Sequence, residues 1–165
     1  MTTFVRSAVL AAACAWLVLA FGCGKEEKTV STPRGDVTVT TRGDVTTVEV
    51  TGKDGKFTAS SAEGGVALPA DFPKDVPIIK GGVVKMAMVA GPNLSVHVEA
   101  PASVAEAGKY YEDSLKAQGW KIEAAMNMGD SMMISARKGK RECAVTIAKE
   151  GKGSALQLMV PRGAG

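Results

Sequence analysis

Histidine and cysteine, which supply many catalytic and metal sites, are scarce in this sequence. The 165 residues include one histidine and three cysteines. A single histidine among scattered acidic residues is poor material for a catalytic triad. No glycine-rich stretch has the spacing of a phosphate-binding loop. We therefore expect that the protein is not an enzyme and that it carries no cofactor.

The chain also lacks a strong excess of charge of one sign. Its 20 basic and 17 acidic residues give a formal net charge of +3. Nucleic-acid-binding domains carry a strong, clustered positive charge. This weak and dispersed balance excludes a nucleic-acid partner. Aromatic residues make up only 5% of the chain, so eight methionines become prominent among the large apolar side chains.

The N-terminal 22 residues contain one charged residue, Arg6, followed by an almost wholly apolar stretch at 7–21. A short basic region, an apolar stretch of about 7–15 residues and a small-residue cleavage site are typical of a secretory signal peptide. A membrane-spanning helix needs about 20 apolar residues, and the charged residues from Lys25 onward end this one early. We predict that residues 1–22 are a signal peptide.

The cleavage region reads Leu-Ala-Phe-Gly-Cys over residues 19–23. It resembles the lipobox of bacterial lipoproteins, in which signal peptidase II cleaves just before the cysteine. The resemblance implies that Cys23 becomes the N-terminus and carries diacylglycerol and a further acyl chain such as palmitate. Ala20 and Phe21 depart from the usual lipobox residues, so ordinary signal cleavage that leaves a free cysteine stays the alternative.

The predicted lipidation places the protein in the bacterial cell envelope, where the lipid on Cys23 attaches it to a membrane. Because Gly24, rather than aspartate, follows the cysteine, the enterobacterial sorting pattern implies the periplasmic face of the outer membrane or the cell surface.

The rest of the chain divides by composition into three parts. Residues 23–35 are polar after the cysteine and predict a flexible tether. Arg-Gly-Asp-Val-Thr occurs at 34–38 and again at 42–46, and residues 36–62 predict a short β-meander rich in Thr and Val. Residues 66–161 form the main domain, which opens with an extended, proline-rich arm that has prolines at every fourth position from 69 to 77.

Alternating apolar residues in the main domain predict strands at 83–90 and 94–100 around a Gly-Pro-Asn turn. Ser103 and Glu106 form a capping box for a helix that ends near Gln118, before Gly119. Four more strands follow at about 120–127, 131–137, 142–148 and 154–160. The predicted fold is α+β, a ββαββββ antiparallel sheet with one helix packed on it.

Two segments of this domain, LPADFPKDVPI at 68–78 and YYEDSLKAQGW at 110–120, resemble a domain found in uncharacterised bacterial envelope lipoproteins. The resemblance covers about residues 35–160, including the repeats. It implies an envelope location and this fold outline. No activity is established for that group, so it assigns no functional residues.

Paired methionines are the most distinctive candidate site. Met86 and Met88, like Met126 and Met128, put two thioethers on one face of a strand. Thioethers favour Cu(I), so four sulfurs would make a copper site if the two strands were neighbours, with His97 or Cys143 nearby. The simpler interpretation is that methionine fills the core in place of aromatic residues. A third is a groove whose methionines adapt to a peptide or a small apolar ligand.

Three other residues or motifs have two interpretations each. His97 is expected to be an exposed strand residue, and Cys143 a buried, inert thiol rather than a reactive or intermolecularly paired one. The RKGKR segment at 137–141 is a solvated turn or a contact for anionic lipid headgroups.

These observations predict a non-enzymatic binding or interaction module, anchored to a membrane by lipid on Cys23 and serving an envelope protein partner. The alternative is a periplasmic module that binds copper or a small ligand through its Met-x-Met strands.

Overall fold

A computed structural model describes residues 26–32, 35–52 and 55–162. It contains ten strands and one helix, α1 (Val104–Ala117). The strands are β1 (Glu26–Thr32), β2 (Gly35–Arg42), β3 (Val45–Gly52), β4 (Gly55–Ser61), β5 (Val83–Ala90), β6 (Asn93–Ala100), β7 (Lys121–Asn127), β8 (Ser131–Lys138), β9 (Arg141–Glu150) and β10 (Gly153–Pro161).

All ten strands form one antiparallel sheet in the order β1-β2-β3-β4-β5-β6-β10-β9-β8-β7. The chain meanders from β1 to β6, crosses along α1 to the far edge, and returns strand by strand until β10 pairs with β6. The predicted α+β class and the single helix on an antiparallel sheet are confirmed. The strand pattern differs from the prediction, because the repeat segment joins the same sheet through the pairing of β4 with β5.

Residues 26–32, within the segment predicted to be a flexible tether, form strand β1, which corrects that part of the prediction. β1 pairs with β2 from Glu26 opposite Thr41 to Thr32 opposite Gly35. Its side chains are all exposed, so backbone pairing rather than burial holds it. Thr29 and Thr38 add a hydroxyl hydrogen bond of 3.1 Å between the two strands.

Helix α1 begins and ends as its sequence predicts. The Ser103 backbone N–H donates to the Glu106 carboxylate at 2.9 Å, and the Glu106 N–H donates to the Ser103 hydroxyl at 3.3 Å, which completes the capping box. Gly119 follows with a φ of +81°, a conformation that glycine adopts without strain. The helix packs on β7 to β10.

Small residues allow this helix to lie close to the sheet. Ala107 is fully buried, and a Cβ atom added at Gly108 would collide with the Met132 sulfur on β8. Tyr111 and Leu115 extend the same helix face and have no exposed surface. The space between α1 and β8 is therefore filled by side chains.

The proline-rich arm is a series of turns rather than the extended segment that we predicted. The Phe72 N–H donates to the Pro69 carbonyl at 2.9 Å, and the Val76 N–H donates to the Pro73 carbonyl at 3.1 Å. Each turn brings one apolar side chain into the core, where Phe72 and Val76 are buried. The four-residue proline spacing thus sets the period of the turns.

Candidate functional site

The two faces of the sheet differ because side chains alternate along each strand. One face of β5 to β10 contacts α1 and the arm and carries the core. We call the other side of the whole sheet, opposite α1, the open face. In β2 and β3 the pattern is reversed, so that Val37, Val39, Val48 and Val50 lie on the open face. Thr38, Thr40, Thr47 and Thr51 lie on the helix side. The cross-strand registers connect these valines to the open-face residues of β5 to β10.

Two neighbouring rows of the open face are uncharged from β2 to β7, and a third beside them is uncharged from β2 to β10; together they make up what we call the apolar belt. The middle row consists of Val39, Val48, Ala59, Met88, Ser95, Met159, Ala144, Ser135 and Ala124. One flanking row runs through Thr41, Thr46, Ser61, Met86, His97, Gln157, Thr146, Met133 and Met126. The other runs through Val37, Val50, Phe57, Ala90, Asn93 and Pro161.

Methionines lie on this belt rather than in the core, so the core interpretation is wrong for most of them. The exposed fractions are 41% for Met86, 52% for Met126, 40% for Met133 and 58% for Met159. Among the methionines that the structure describes, Met132, at 8% exposed, is the one in the core. The outward methionines give the open face side chains that can adapt their shape to a contact.

The four methionines proposed as a copper site do not converge. Met86 and Met88 lie on β5, whereas Met126 lies on β7 and Met128 just beyond it. Four strands separate β5 from β7 in the sheet, which corresponds to about 24 Å at the usual strand spacing. The four-sulfur site required that these two strands be neighbours, and they are not.

A different set of ligand atoms does come together on the open face. One nitrogen of His97 and one carboxylate oxygen each of Glu99 and Glu150 lie within 4.8 Å of one another. His97 is half-buried in its strand, as a neighbour of Met86. His97 lies on a strand as predicted but is half-buried rather than exposed, and neither carboxylate was predicted to join it. The His-x-Glu spacing of His97 and Glu99 was the one sequence signal for this group, because Glu150 lies on another strand.

Cys143 faces the helix side of β9 and is 1% exposed. Burial raises the pKa of its thiol to about 12, so the thiolate needed for nucleophilic or redox chemistry is not formed near neutral pH. The prediction that this thiol is buried is confirmed. Cys143 also lies on the opposite side of the sheet from His97 and the methionines of the belt.

Most basic side chains of the turn at 137–141 form ion pairs. Arg137 bonds Glu123 at 2.9 Å and Glu142 at 2.6 Å. Lys138 lies 2.7 Å from the Asp75 carboxylate, which also accepts from the Arg141 guanidinium at 3.0 Å. Most charges of the turn therefore have acidic partners, which weakens the lipid-headgroup interpretation.

Asp75 joins the arm to the sheet, in what we call the Asp75 clasp. Its carboxylate binds Lys138 and Arg141, and its carbonyl accepts from the Trp120 indole N–H at 2.9 Å. Arg141 lies 4.9 Å from the centre of the Trp120 ring, within the range of a cation–π contact. Hydrogen bonds from Arg141, followed by those from Lys138, lower the pKa of Asp75 to about 2.

We expect the Asp75 clasp to make stability depend on pH in the acid range. Because the pKa is lower in the folded chain than its ordinary 3.8, the stabilisation is present above about pH 4 and is lost as pH falls toward 2. After allowance for solvent screening, we expect a loss of about 1–2 kcal/mol. Urea denaturation at pH 5 and pH 2.5 measures it.

Asp75→Asn should remove most of that difference between the two pH values. Asp113→Asn is the control, since Asp113 forms an exposed ion pair with Lys109, and such pairs contribute little. An unchanged acid dependence in Asp75→Asn would contradict the role of the clasp.

Clefts of moderate size lie at the strand ends. One of about 460 Å³ is bordered by Glu99, Glu150 and Lys152. Another, of about 410 Å³, lies between Leu94, Lys140 and Met159. The first cleft adjoins the His97, Glu99 and Glu150 group, which gives that group access to solvent and small molecules.

Comparison with protein families gives one match, and it falls in the second half of the chain. A family model described as START domain-like matches residues 84–155. The START-like segment runs from β5 to the first residues of β10 and includes α1. The belt methionines from Met86 to Met133 and the His97, Glu99 and Glu150 group lie within it. No curated protein and no solved structure matches the chain significantly.

The predicted lipid site, Cys23, lies outside the residues that the structure describes. Within those residues, no helix combines the length and apolar character needed to cross a membrane.

Proposed function

We propose that this protein is a lipid-anchored lipoprotein of the bacterial cell envelope that acts as a non-enzymatic binding module. The observation that carries the binding role is the apolar belt, which is wide, uncharged and left open on the side away from α1. The START domain-like match of residues 84–155 supports a binding role for the same region. The lipobox-like segment ending at Cys23 supports the anchor.

The partner that this surface suits is a protein with an uncharged, apolar face. The belt is about 40 Å long and about 14 Å wide where all three rows are present, or roughly 450 Å², if strands lie 4.8 Å apart and rows about 7 Å apart. A stable interface buries about 800 Å² on each partner, so the belt and its polar rim are of the right size. A charged ligand would lose hydration against these rows without gaining a partner charge.

Adjacent residues of β3 offer a matched pair of probes for this proposal. Val48 lies on the belt, whereas Thr47 lies on the helix side and shares a 3.0 Å hydrogen bond with Ser60. A photoreactive amino acid at position 48, in cells, is expected to crosslink to one envelope protein, and the same group at position 47 is not. Mass spectrometry should place the crosslink on an uncharged apolar surface of that protein.

A charge in the middle of the belt should abolish that contact. We expect Ala59→Lys to reduce the crosslink from position 48 at least tenfold, because an unpaired ammonium group would be buried at the interface. Thr58→Lys, on the other face of β4, is the control. Crosslinks only to a second copy of the chain, only to lipid, or equally from positions 47 and 48 would overturn the proposal.

A further inference from the structure

We propose that His97, Glu99 and Glu150 form a binding site for a divalent cation of the zinc class. One nitrogen and two oxygen atoms of these side chains lie within 4.8 Å of one another. His97 also lies in a flanking row of the apolar belt, but the inference requires neither the partner proposed for the belt nor the lipid anchor, since it depends only on three side chains of the sheet.

The sheet register explains how residues so far apart in sequence meet. His97 and Glu99 are two residues apart on β6 and point to the same face. Glu150, at the end of β9, must reach across β10, which lies between the two strands. The β10 residue opposite Glu99 is Ala155, and its small side chain leaves room above the strand for the Glu150 carboxylate.

The donor set favours zinc over other common cations. Imidazole nitrogen with carboxylate oxygens is a zinc ligand set, and three protein ligands with a fourth position for water are typical of open zinc sites. Magnesium and calcium prefer oxygen ligands alone. Zinc bonds of about 2.0–2.2 Å require the ligand atoms to move closer together than 4.8 Å. Glu150 is exposed, so its side chain is free to make that movement.

Charge at the site also favours a cation. Two carboxylates stand beside one imidazole. The Lys85 ammonium group lies 3.6 Å from Glu99, and Lys152 borders the same cleft. Lys85 also donates to the Glu63 carbonyl. It therefore has a second acceptor when a metal ion takes Glu99. The cleft bordered by Glu99 and Glu150 leaves the fourth position open to water or a small ligand.

Calorimetric titration of the full-length protein in detergent, without an added histidine tag, with ZnCl₂ tests the site. We expect one zinc ion to bind per chain. Because His97 is the sole histidine in the sequence, its imidazole NMR signals report directly on coordination and should shift with the same stoichiometry. Magnesium and calcium should leave them unchanged.

Two carboxylates on β9 provide the variant and its control. Glu150→Gln should weaken zinc binding at least tenfold, and so should His97→Asn. Glu142→Gln should bind like the wild type, since Glu142 lies on the same strand but pairs with Arg137 at its other end. Lys85→Gln should strengthen binding several-fold because it removes the cation that competes for Glu99.

Three results would overturn the assignment. One is an absence of zinc binding at millimolar concentration. Another is binding that Glu150→Gln and His97→Asn leave unchanged. The third is Cu(I) binding that is tighter than zinc binding and is lost in Met86→Leu, since Met86 is the cross-strand neighbour of His97 and a thioether would then define a site for a softer metal.

Discussion

Replacement of Trp120 by alanine is expected to destabilise the folded chain by about 3–5 kcal/mol. The indole is 2% exposed, and it lies between the end of α1, the arm and Arg141. Its removal leaves a cavity, frees the Asp75 carbonyl of its 2.9 Å hydrogen bond and removes the ring on which Arg141 stacks. The melting temperature should fall on the order of 10 °C.

Trp120→Phe separates packing from hydrogen bonding in this experiment. Phenylalanine keeps most of the apolar contact but donates no hydrogen bond, so we expect a smaller loss, about 1–2 kcal/mol. Urea denaturation followed by circular dichroism measures both variants. A loss below 1 kcal/mol in Trp120→Ala would show that the arm does not depend on this residue for its attachment to the sheet.

Local signals explain why the second half of the fold was predictable from sequence. Ser103 and Glu106 mark the helix start and Gly119 its end, and each depends on residues within four positions of one another. The hairpins of β5 to β10 likewise connect strands that are adjacent in sequence, apart from the pairing of β6 with β10. Their alternating patterns are strong because one face is buried.

The first half of the sheet was harder to predict because little of it is buried. β1 has Val30 as its sole apolar residue, and all its side chains are exposed, so its composition indicates a tether. It becomes a strand because β2 offers an unpaired edge. The junction of β4 and β5 connects segments on either side of the arm, and no local pattern predicts that pairing.

The candidate site was only partly predictable for the same reason. Alternation shows that Met86 and Met88 share a face of a strand, but it does not show which face meets the helix. His97 and Glu99 are visible as neighbours on one strand, whereas Glu150 joins them only through the order β6-β10-β9. The Asp75 clasp connects residues 63 and 66 positions apart, a distance at which sequence patterns carry no information.

Replacement of Cys23 by serine is expected to abolish incorporation of a fatty-acid analogue and to release the protein from the membrane fraction. Serine has no thiol to take diacylglycerol, and the resemblance to the lipobox assigns that step to this cysteine. Each buried methylene contributes ~0.8 kcal/mol to anchoring, so two or more acyl chains hold a protein stably on a bilayer. Their loss should therefore shift almost all of the protein out of that fraction.

The other two cysteines are the natural controls for this labelling experiment. Cys14 lies within the predicted signal peptide, and Cys143 is a buried thiol with a pKa raised to about 12, so Cys14→Ser and Cys143→Ala should both keep the label. Label that persists in Cys23→Ser and is lost in Cys14→Ser would move the anchor to the earlier cysteine. Label that is absent from the wild type would favour ordinary signal cleavage and a free Cys23. β1 begins three residues after Cys23, which is at most about 10 Å of extended chain. A lipid on Cys23 would therefore hold the β1 edge of the sheet close to the bilayer, with β7 as the distal edge.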